Sequence, residues 1–320
     1  MDKVDIVYLW VNGADPVWQR KRQGAQQQKL DPSELAQYGN VAGRYRDNGE
    51  LRYNLRALER FFPDHGQIYI VTDAQKPAWL NDHPGVTLID HAELIPEHAL
   101  PVFDAGHIES YLHHIPKLSE RFIYLNDDIF FGAPVCLTDW FKPESLPVFF
   151  DTQAAPEHNE IQPNETALVN ASILSKHWLG RQFSNYQHRP WLCAHSPRAL
   201  LKSVMAELES EAAELFAAVR STTFRSWQIP PIISDLLLRW MICKGYATAH
   251  QQQALYISSC DTEAEQQFAA LRSQFGALPF FCINDTCDDC PDHDPRLQAV
   301  EQVLQQLLPQ PSRFEIPGTV

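Results

Sequence analysis

Residues 122–132 read Phe-Ile-Tyr-Leu-Asn-Asp-Asp-Ile-Phe-Phe-Gly, and this stretch constrains the fold more than any other. A short apolar run bounded by polar residues is the pattern of a strand buried on both faces. Asp127 and Asp128 are too costly to leave unpaired in a core. They are therefore predicted at the rim, where the strand leaves its sheet. In open α/β sheets, ligands sit in the crevice beyond the carboxyl ends of the strands. Paired carboxylates there suit a hard divalent cation such as Mg2+, which takes one or two carboxylates together with phosphate oxygens. The competing reading is a polar turn in which Asn126 and Asp127 cap local backbone. The triplet alone does not choose between them.

The remaining pattern points to an α/β fold built on a mostly parallel, Rossmann-like sheet, with a helical insertion packed on it. Residues 4–11 read as a buried strand, closed by the turn signals Asn12-Gly13 and Asp15-Pro16. Leu51, Leu55 and Leu58 recur at helical spacing over residues 51–60, with Asp47 or Asn48 as the expected N-cap. Residues 67–73 and 86–90 are two more strands, ending on Asp73 and Asp90. A helix over 108–115, carrying Glu109, His113 and His114, precedes the opening stretch. Strands alternating with crossovers predict parallel pairing. Further helices are expected over 170–178, 198–219, 230–245 and 296–308, and a late strand over 280–285 ends in Asn284-Asp285. The expected organisation is one catalytic domain over 1–320. It comprises an α/β half (1–150), a helical insertion (185–250), and a closing strand and C-terminal helix (278–320).

Charge narrows the partners. With 26 Lys+Arg against 40 Asp+Glu, the formal net charge is -14, which opposes binding to nucleic acid or an anionic membrane surface. No apolar run is long enough to span a bilayer, and the first residues lack a signal-peptide pattern. A cytoplasmic location is the expectation, with peripheral association at the inner membrane left open. Cys282, Cys287, Cys290 and His293 lie within twelve residues of the seven-cysteine chain, so zinc is weighed. Tetrahedral closure by so short a segment is cramped, and plain thiols, or a fortuitous disulfide, are preferred.

Two strands ending in Asn-Asp suggest that Asp128 and Asp285 share a cation. Arg44, Arg46, Arg52 and Arg225 are candidate phosphate clamps, because a guanidinium fork binds phosphate bidentately. His195 is the candidate base, since imidazole titrates near neutrality.

Several segments together resemble the Stealth family of sugar-phosphate transferases, in that family's order. Residues 5–16 look like its first region. Residues 44–58, 68–80 and 108–132 look like its second. Ala194-His195-Ser196-Pro197 and Thr223-Phe224-Arg225-Ser226 look like its third, and residues 281–285 with 311–317 like its fourth. The third region departs from the family's common form, reading Ser196 where many members have Met, and residues 152–185 have little that matches.

The resemblance implies a glycosyltransferase A-like fold with residues 1–150 as its nucleotide-sugar half, and transfer of a hexose 1-phosphate from a UDP-sugar to an acceptor hydroxyl of a glycan or exopolysaccharide, with release of UMP. It also implies roles. Glu109 is expected to hold the sugar, Asp128 and Asp285 the metal (Mg2+ or Mn2+), and Arg225 the diphosphate, with His195 as base. Asn12, Gly13 and Asp15 are expected near the nucleotide, and Arg44, Arg52 and Asn126 on the substrate. The rivals are a metal-dependent glycosyltransferase releasing UDP and a non-catalytic sugar-nucleotide binding protein.

Overall fold

The structure, a computed structural model, describes residues 3–142, 145–252, 255–288, 290–291 and 294–319. The chain runs β1 (Asp5–Leu9), α1 (Pro16–Lys29), α2 (Glu50–Phe61), β2 (Ile68–Thr72), β3 (Val86–Asp90), α3 (His91–Leu94), α4 (Ala105–Glu109), β4 (Arg121–Asn126) and β5 (Ile129–Phe131). It continues with α5 (Leu137–Trp140), β6 (Leu146–Ala154), α6 (Ala167–Gln182), β7 (Trp191–Cys193), β8 (Arg198–Leu201), α7 (Lys202–Glu211) and α8 (Ala213–Val219). It closes with α9 (Leu236–Lys244), β9 (Ala247–Gln251), β10 (Leu255–Ser258), α10 (Ala264–Gln274), β11 (Phe280–Asn284) and α11 (Pro295–Leu307).

The main sheet has the order β3-β2-β1-β4-β8. Its first four strands are parallel and β8 is antiparallel to β4. β1 and β2 are buried along their whole length, as continuous apolar strands covered on both faces must be. Leu51, Leu55 and Leu58 of α2 are fully buried against this core. Two three-stranded sheets flank the first, in the orders β10-β11-β5 and β7-β6-β9.

Four expectations are corrected. Residues 122–132 are not one strand: β4 belongs to the main sheet and β5 pairs with β11 in another. The Asp127–Asp128 turn is the elbow between the two, at the end of β4 where the chain leaves the main sheet. Helix α2 is capped by neither Asp47 nor Asn48. Gly49 occupies that position at φ +82°, a left-handed conformation that suits glycine, while Asp47 Oδ1 accepts from the Gly49 N–H at 2.9 Å. The expected helix over 198–219 begins instead with strand β8, which pairs with Arg121–Tyr124. The 185–250 segment thus completes the main sheet as well as packing helices on it. Finally, the helix expected over 108–115 ends at Glu109 and is followed by a 3-10 turn at Leu112–His114.

Candidate active site

The parallel strands β1 and β4 end at one cleft of about 1440 Å³, counted to its open mouth. Arg44, Glu109, Asn126, Asp128, His195, Arg225 and Asp285 all line it. Residues separated by up to 241 positions are thereby brought to a single place.

The acids are held from below by α2. The Asn54 side chain is fully buried; its amide donates to the Asp127 carbonyl at 3.0 Å and the Ile129 carbonyl at 2.6 Å. Its own oxygen accepts from Tyr8 at 2.9 Å. From the other side, the Ile283 N–H donates to the Asp128 carbonyl at 3.0 Å. The elbow is thus clamped between a helix and the neighbouring sheet. Asp128 Oδ2 accepts from the Cys282 thiol at 3.5 Å, while its Oδ1 has no partner among the described residues.

Burial pushes the Asp128 carboxyl above its ordinary range. Asp127 is driven well above it, first by burial and then by repulsion from Asp128, Glu50 and Asp47. Glu50 rises to about 8 through burial, with Asp47 adding to it. Crowded carboxylates with an unpartnered oxygen fit a hard divalent cation, which would relieve the repulsion. Asp285 is differently placed. Its Oδ2 takes Arg46 Nη1 at 2.5 Å and Asn48 Nδ2 at 3.2 Å, and its Oδ1 takes the Cys287 N–H at 2.9 Å. Arg46 therefore neutralises Asp285, whereas Asp128 keeps an oxygen free for a ligand.

Three guanidiniums face these acids. Arg44 is lowered to about 10 by burial and by the nearby charge of Arg225. Arg225 Nε lies 3.5 Å from Asp104 Oδ1. Asp104 in turn caps α4 at the Gly106 N–H and accepts from Thr222 at 2.9 Å. The Phe103 N–H bonds the Thr223 carbonyl at 2.8 Å, and the rings of Phe103 and Phe224 stack 5.3 Å apart. These contacts fix the loop that carries Arg225.

The third guanidinium, Arg198, was not anticipated. It is 6% exposed at the start of β8, and its Nε and Nη1 have no hydrogen-bond partner among the described residues. Its nearest acid is Glu109, 3.9 Å away. A buried arginine with idle donors, in a cleft that Arg44, Arg46 and Arg225 also line, suits an anionic ligand. The signal available in the sequence was the Pro197-Arg198 step into a short apolar run.

His195 projects among these charges, with its ring 4.9 Å from that of Tyr256. Burial, then repulsion from Arg198, Arg225 and Arg44, lowers it to about 4. The imidazole is neutral at physiological pH and able to accept a proton. Glu109 Oε1 accepts from the Tyr124 hydroxyl at 2.8 Å, Oε2 has no partner among the described residues, and burial raises its pKa. The same hydroxyl lies 2.5 Å from Asn126 Oδ1.

Other expected residues stand outside the cleft wall. Arg52 is no phosphate clamp here, because its Nε pairs with Glu315 at 2.6 Å and its Nη2 donates to the Thr319 carbonyl at 2.5 Å. Asp15 caps α1 through the Val17 and Trp18 N–H groups. Asn12 Oδ1 accepts from the Ala14 N–H, and the Gly13 N–H donates to the Tyr45 carbonyl at 2.6 Å. These three shape the loop behind Trp10, Val11 and Trp18, which do line the cleft.

The fold and cleft define an α/β protein whose site combines an acidic elbow, convergent guanidiniums and a neutral imidazole. Residues 2–28 match the model of Stealth protein conserved region 1, and residues 44–149 that of conserved region 2. The capsular polysaccharide phosphotransferase WcwK of Streptococcus pneumoniae is 31% identical over 99% of this chain and 100% of its own. An exopolysaccharide phosphotransferase of Streptomyces coelicolor is 35% identical over 98% of this chain. The chain belongs to the Stealth family. It spans 52% of that Streptomyces relative and 33% of a second one at 32% identity. Among solved structures, the galactosyltransferase LgtC aligns over 97% of this chain and 99% of its own, at 9% identity and a TM-score of 0.42. No helix among the described residues is long and apolar enough to cross a membrane.

Proposed function

We propose that the chain transfers a hexose 1-phosphate, or an N-acetylhexosamine 1-phosphate, from a UDP-sugar to a hydroxyl of a glycan or exopolysaccharide, releasing UMP. The observation that carries this reading is the convergence of Arg44, Arg198 and Arg225 around the neutral His195, in the same cleft as Asp128. Phosphoryl transfer is catalysed chiefly by positioning and by charge stabilisation, and guanidinium forks supply both.

Asp128, through its unpartnered Oδ1, would hold Mg2+ or Mn2+, joined by Asp285 once Arg46 exchanges that carboxylate for the diphosphate; the ion would supply electrostatic stabilisation of the phosphate oxygens. Arg225, Arg44 and Arg198 bind the remaining diphosphate oxygens. His195 accepts the proton of the acceptor hydroxyl as that oxygen bonds to the sugar-linked phosphorus. The bond from phosphorus to the UMP oxygen breaks in the same displacement. Glu109, braced by Tyr124, orients the sugar. Names of relatives support the class of chemistry, since those cited above are called polysaccharide phosphotransferases. The reaction belongs on the cytoplasmic side, where nucleotide sugars are available, with peripheral membrane association where the acceptor is lipid-linked.

The test is to incubate the protein with a panel of UDP-sugars, a saccharide acceptor and Mg2+ or Mn2+, and to identify the nucleotide. UMP supports the proposal, since it means that phosphorus was attacked. UDP overturns it in favour of glycosyl transfer, and absence of any nucleotide product across the panel overturns it in favour of a binding protein.

A further inference from the structure

Outside the cleft floor, three sulfurs meet at its rim. Cys260, just after β10, and Cys287, just after β11, are joined as a disulfide with their Cα atoms 5.8 Å apart. Cys290 is drawn into the same place, so that the three Sγ atoms all lie within 4.8 Å of one another. A disulfide needs two of them, and the third is unexplained by it. The sequence suggested a different set. Cys282 instead points to Asp128, and His293 lies outside the described residues. Cys260 supplies the remote ligand that the 282–293 segment lacked.

We propose that the reduced protein holds a structural Zn2+ ion through the thiolates of Cys260, Cys287 and Cys290. Zinc–thiolate bonds of about 2.3 Å in a tetrahedron put sulfurs roughly 3.8 Å apart, inside the span observed. Cys287 and Cys290 have the Cys-x-x-Cys spacing at which one turn of chain offers two thiolates to one ion. Three thiolates on a dication leave one negative charge. Arg296, which also pairs with Asp294 at 2.8 Å, donates its Nη2 to Cys290 Sγ at 3.0 Å. Donors of this kind orient metal ligands and tune their basicity.

The ion would lie behind the catalytic rim. The Gly43 N–H donates to the Cys287 carbonyl at 2.8 Å, and the Cys287 N–H donates to Asp285 Oδ1. A metal on Cys287 therefore fixes the peptide that anchors Asp285 and the loop leading to Arg44. The disulfide and the metal are alternative closures of one site, chosen by the redox state. Forming the disulfide expels the ion and delivers two electrons to an external oxidant such as oxygen or a disulfide. Reduction by an external thiol restores the ligands.

The experiment measures zinc in the full chain purified under reducing, metal-supplemented conditions, and follows the thiolate-to-cobalt charge-transfer absorption on Co2+ substitution. One equivalent of zinc and a strong charge-transfer band are expected. Cys290→Ser, at a partly exposed position, should abolish both, whereas Cys136→Ser, at a free exposed cysteine remote from the cluster, should leave both intact. Reduced protein that takes up no zinc, or a Cys290→Ser variant that binds it as the parent does, overturns the proposal. So does a chain that keeps the Cys260–Cys287 bond, free of metal, when isolated from a reducing cytosol. None of these readouts depends on the sugar-phosphate reaction.

Discussion

Gly43 sits so close beneath Asp285 that a β-carbon on it would stand 2.5 Å from Asp285 Oδ1 and 2.6 Å from the Asp285 carbonyl oxygen. Both are backbone or pinned atoms, because Asp285 is tied to Arg46, Asn48 and the Cys287 N–H. Gly43→Ala must therefore displace the carboxylate. Turnover should fall at least tenfold and the unfolding midpoint should drop with it, and a calorimetric scan beside a product assay at a temperature where the variant is folded separates the two. An active Gly43→Ala enzyme would remove Asp285 from the machinery.

His195 is held neutral first by burial and then by three guanidiniums, and this has a signed consequence. The neutral form accepts the proton, so kcat/KM should fall only as pH drops through about 4, well below the usual histidine range. Replacing Arg225 by Gln removes one repelling charge and lets the imidazole pKa climb toward its ordinary value. The acid limb of the kcat/KM profile should move upward with it. In kcat the limb should lie higher even in the parent, because the bound diphosphate screens the arginines. His195→Ala should lower turnover by about 10²–10⁴ with donor affinity retained, measured by titration calorimetry.

Arg198 offers idle donors to the cleft. Arg198→Met keeps the bulk and removes them, and should cost about 10²–10³ in kcat. It also removes the cation nearest Glu109, so the Glu109 carboxyl should titrate at a higher pH still, which infrared spectroscopy of the protonated carboxyl can follow. Wild-type turnover in Arg198→Met would assign the residue to packing alone.

The Asn54 amide braces the Asp127–Asp128 elbow, and Asn54→Leu leaves the Tyr8 hydroxyl and two carbonyls without it. Each buried group so stranded costs about 1–3 kcal/mol. Both stability, by urea titration, and metal-dependent activity should drop. A variant that loses stability but keeps its Mg2+ titration unchanged would show that the elbow needs no brace.

Glu315 pairs with Arg52 and Arg56 at 2.6–2.7 Å, and those contacts lower its carboxyl to about 2 although burial opposes them. A carboxylate with a depressed folded pKa stabilises the fold above its unfolded value and ceases to do so as pH falls. Roughly 3 kcal/mol should disappear between about pH 4.5 and pH 2. Glu315→Gln should flatten that part of the stability–pH curve.

Much of this was readable from residue order, for physical reasons that differ by element. Strands β1, β2 and β4 announce themselves because burial on both faces fills them with apolar residues, while β3 is a half-buried edge strand marked by its short apolar run. Helix α2 announces itself because Leu51, Leu55 and Leu58 recur at helical spacing, although its polar Asn54 and Arg56 are buried as well. Arg198 escaped because Ala199, Leu200 and Leu201 favour helix, and only pairing with Arg121–Tyr124 makes them a strand. Arg52 and Arg44 flank the start of the same helix and look alike in one dimension. Glu315, 263 positions away, separates them. The partner of Cys287 lies 27 residues upstream across an intervening helix, beyond the reach of any local spacing rule.

Asn54 and Arg56 leave one turn of α2 on opposite sides, the first gripping the catalytic elbow and the second gripping the segment that ends in Glu315. Residues 309–319 thus hang on the same lever as the chemistry. Peeling that segment off with a fusion partner, an antibody or a nested deletion would strand two guanidiniums and let the lever tilt. Clipped versions of this protein would then behave as cleft mutants do, though every cleft-lining side chain remained in place.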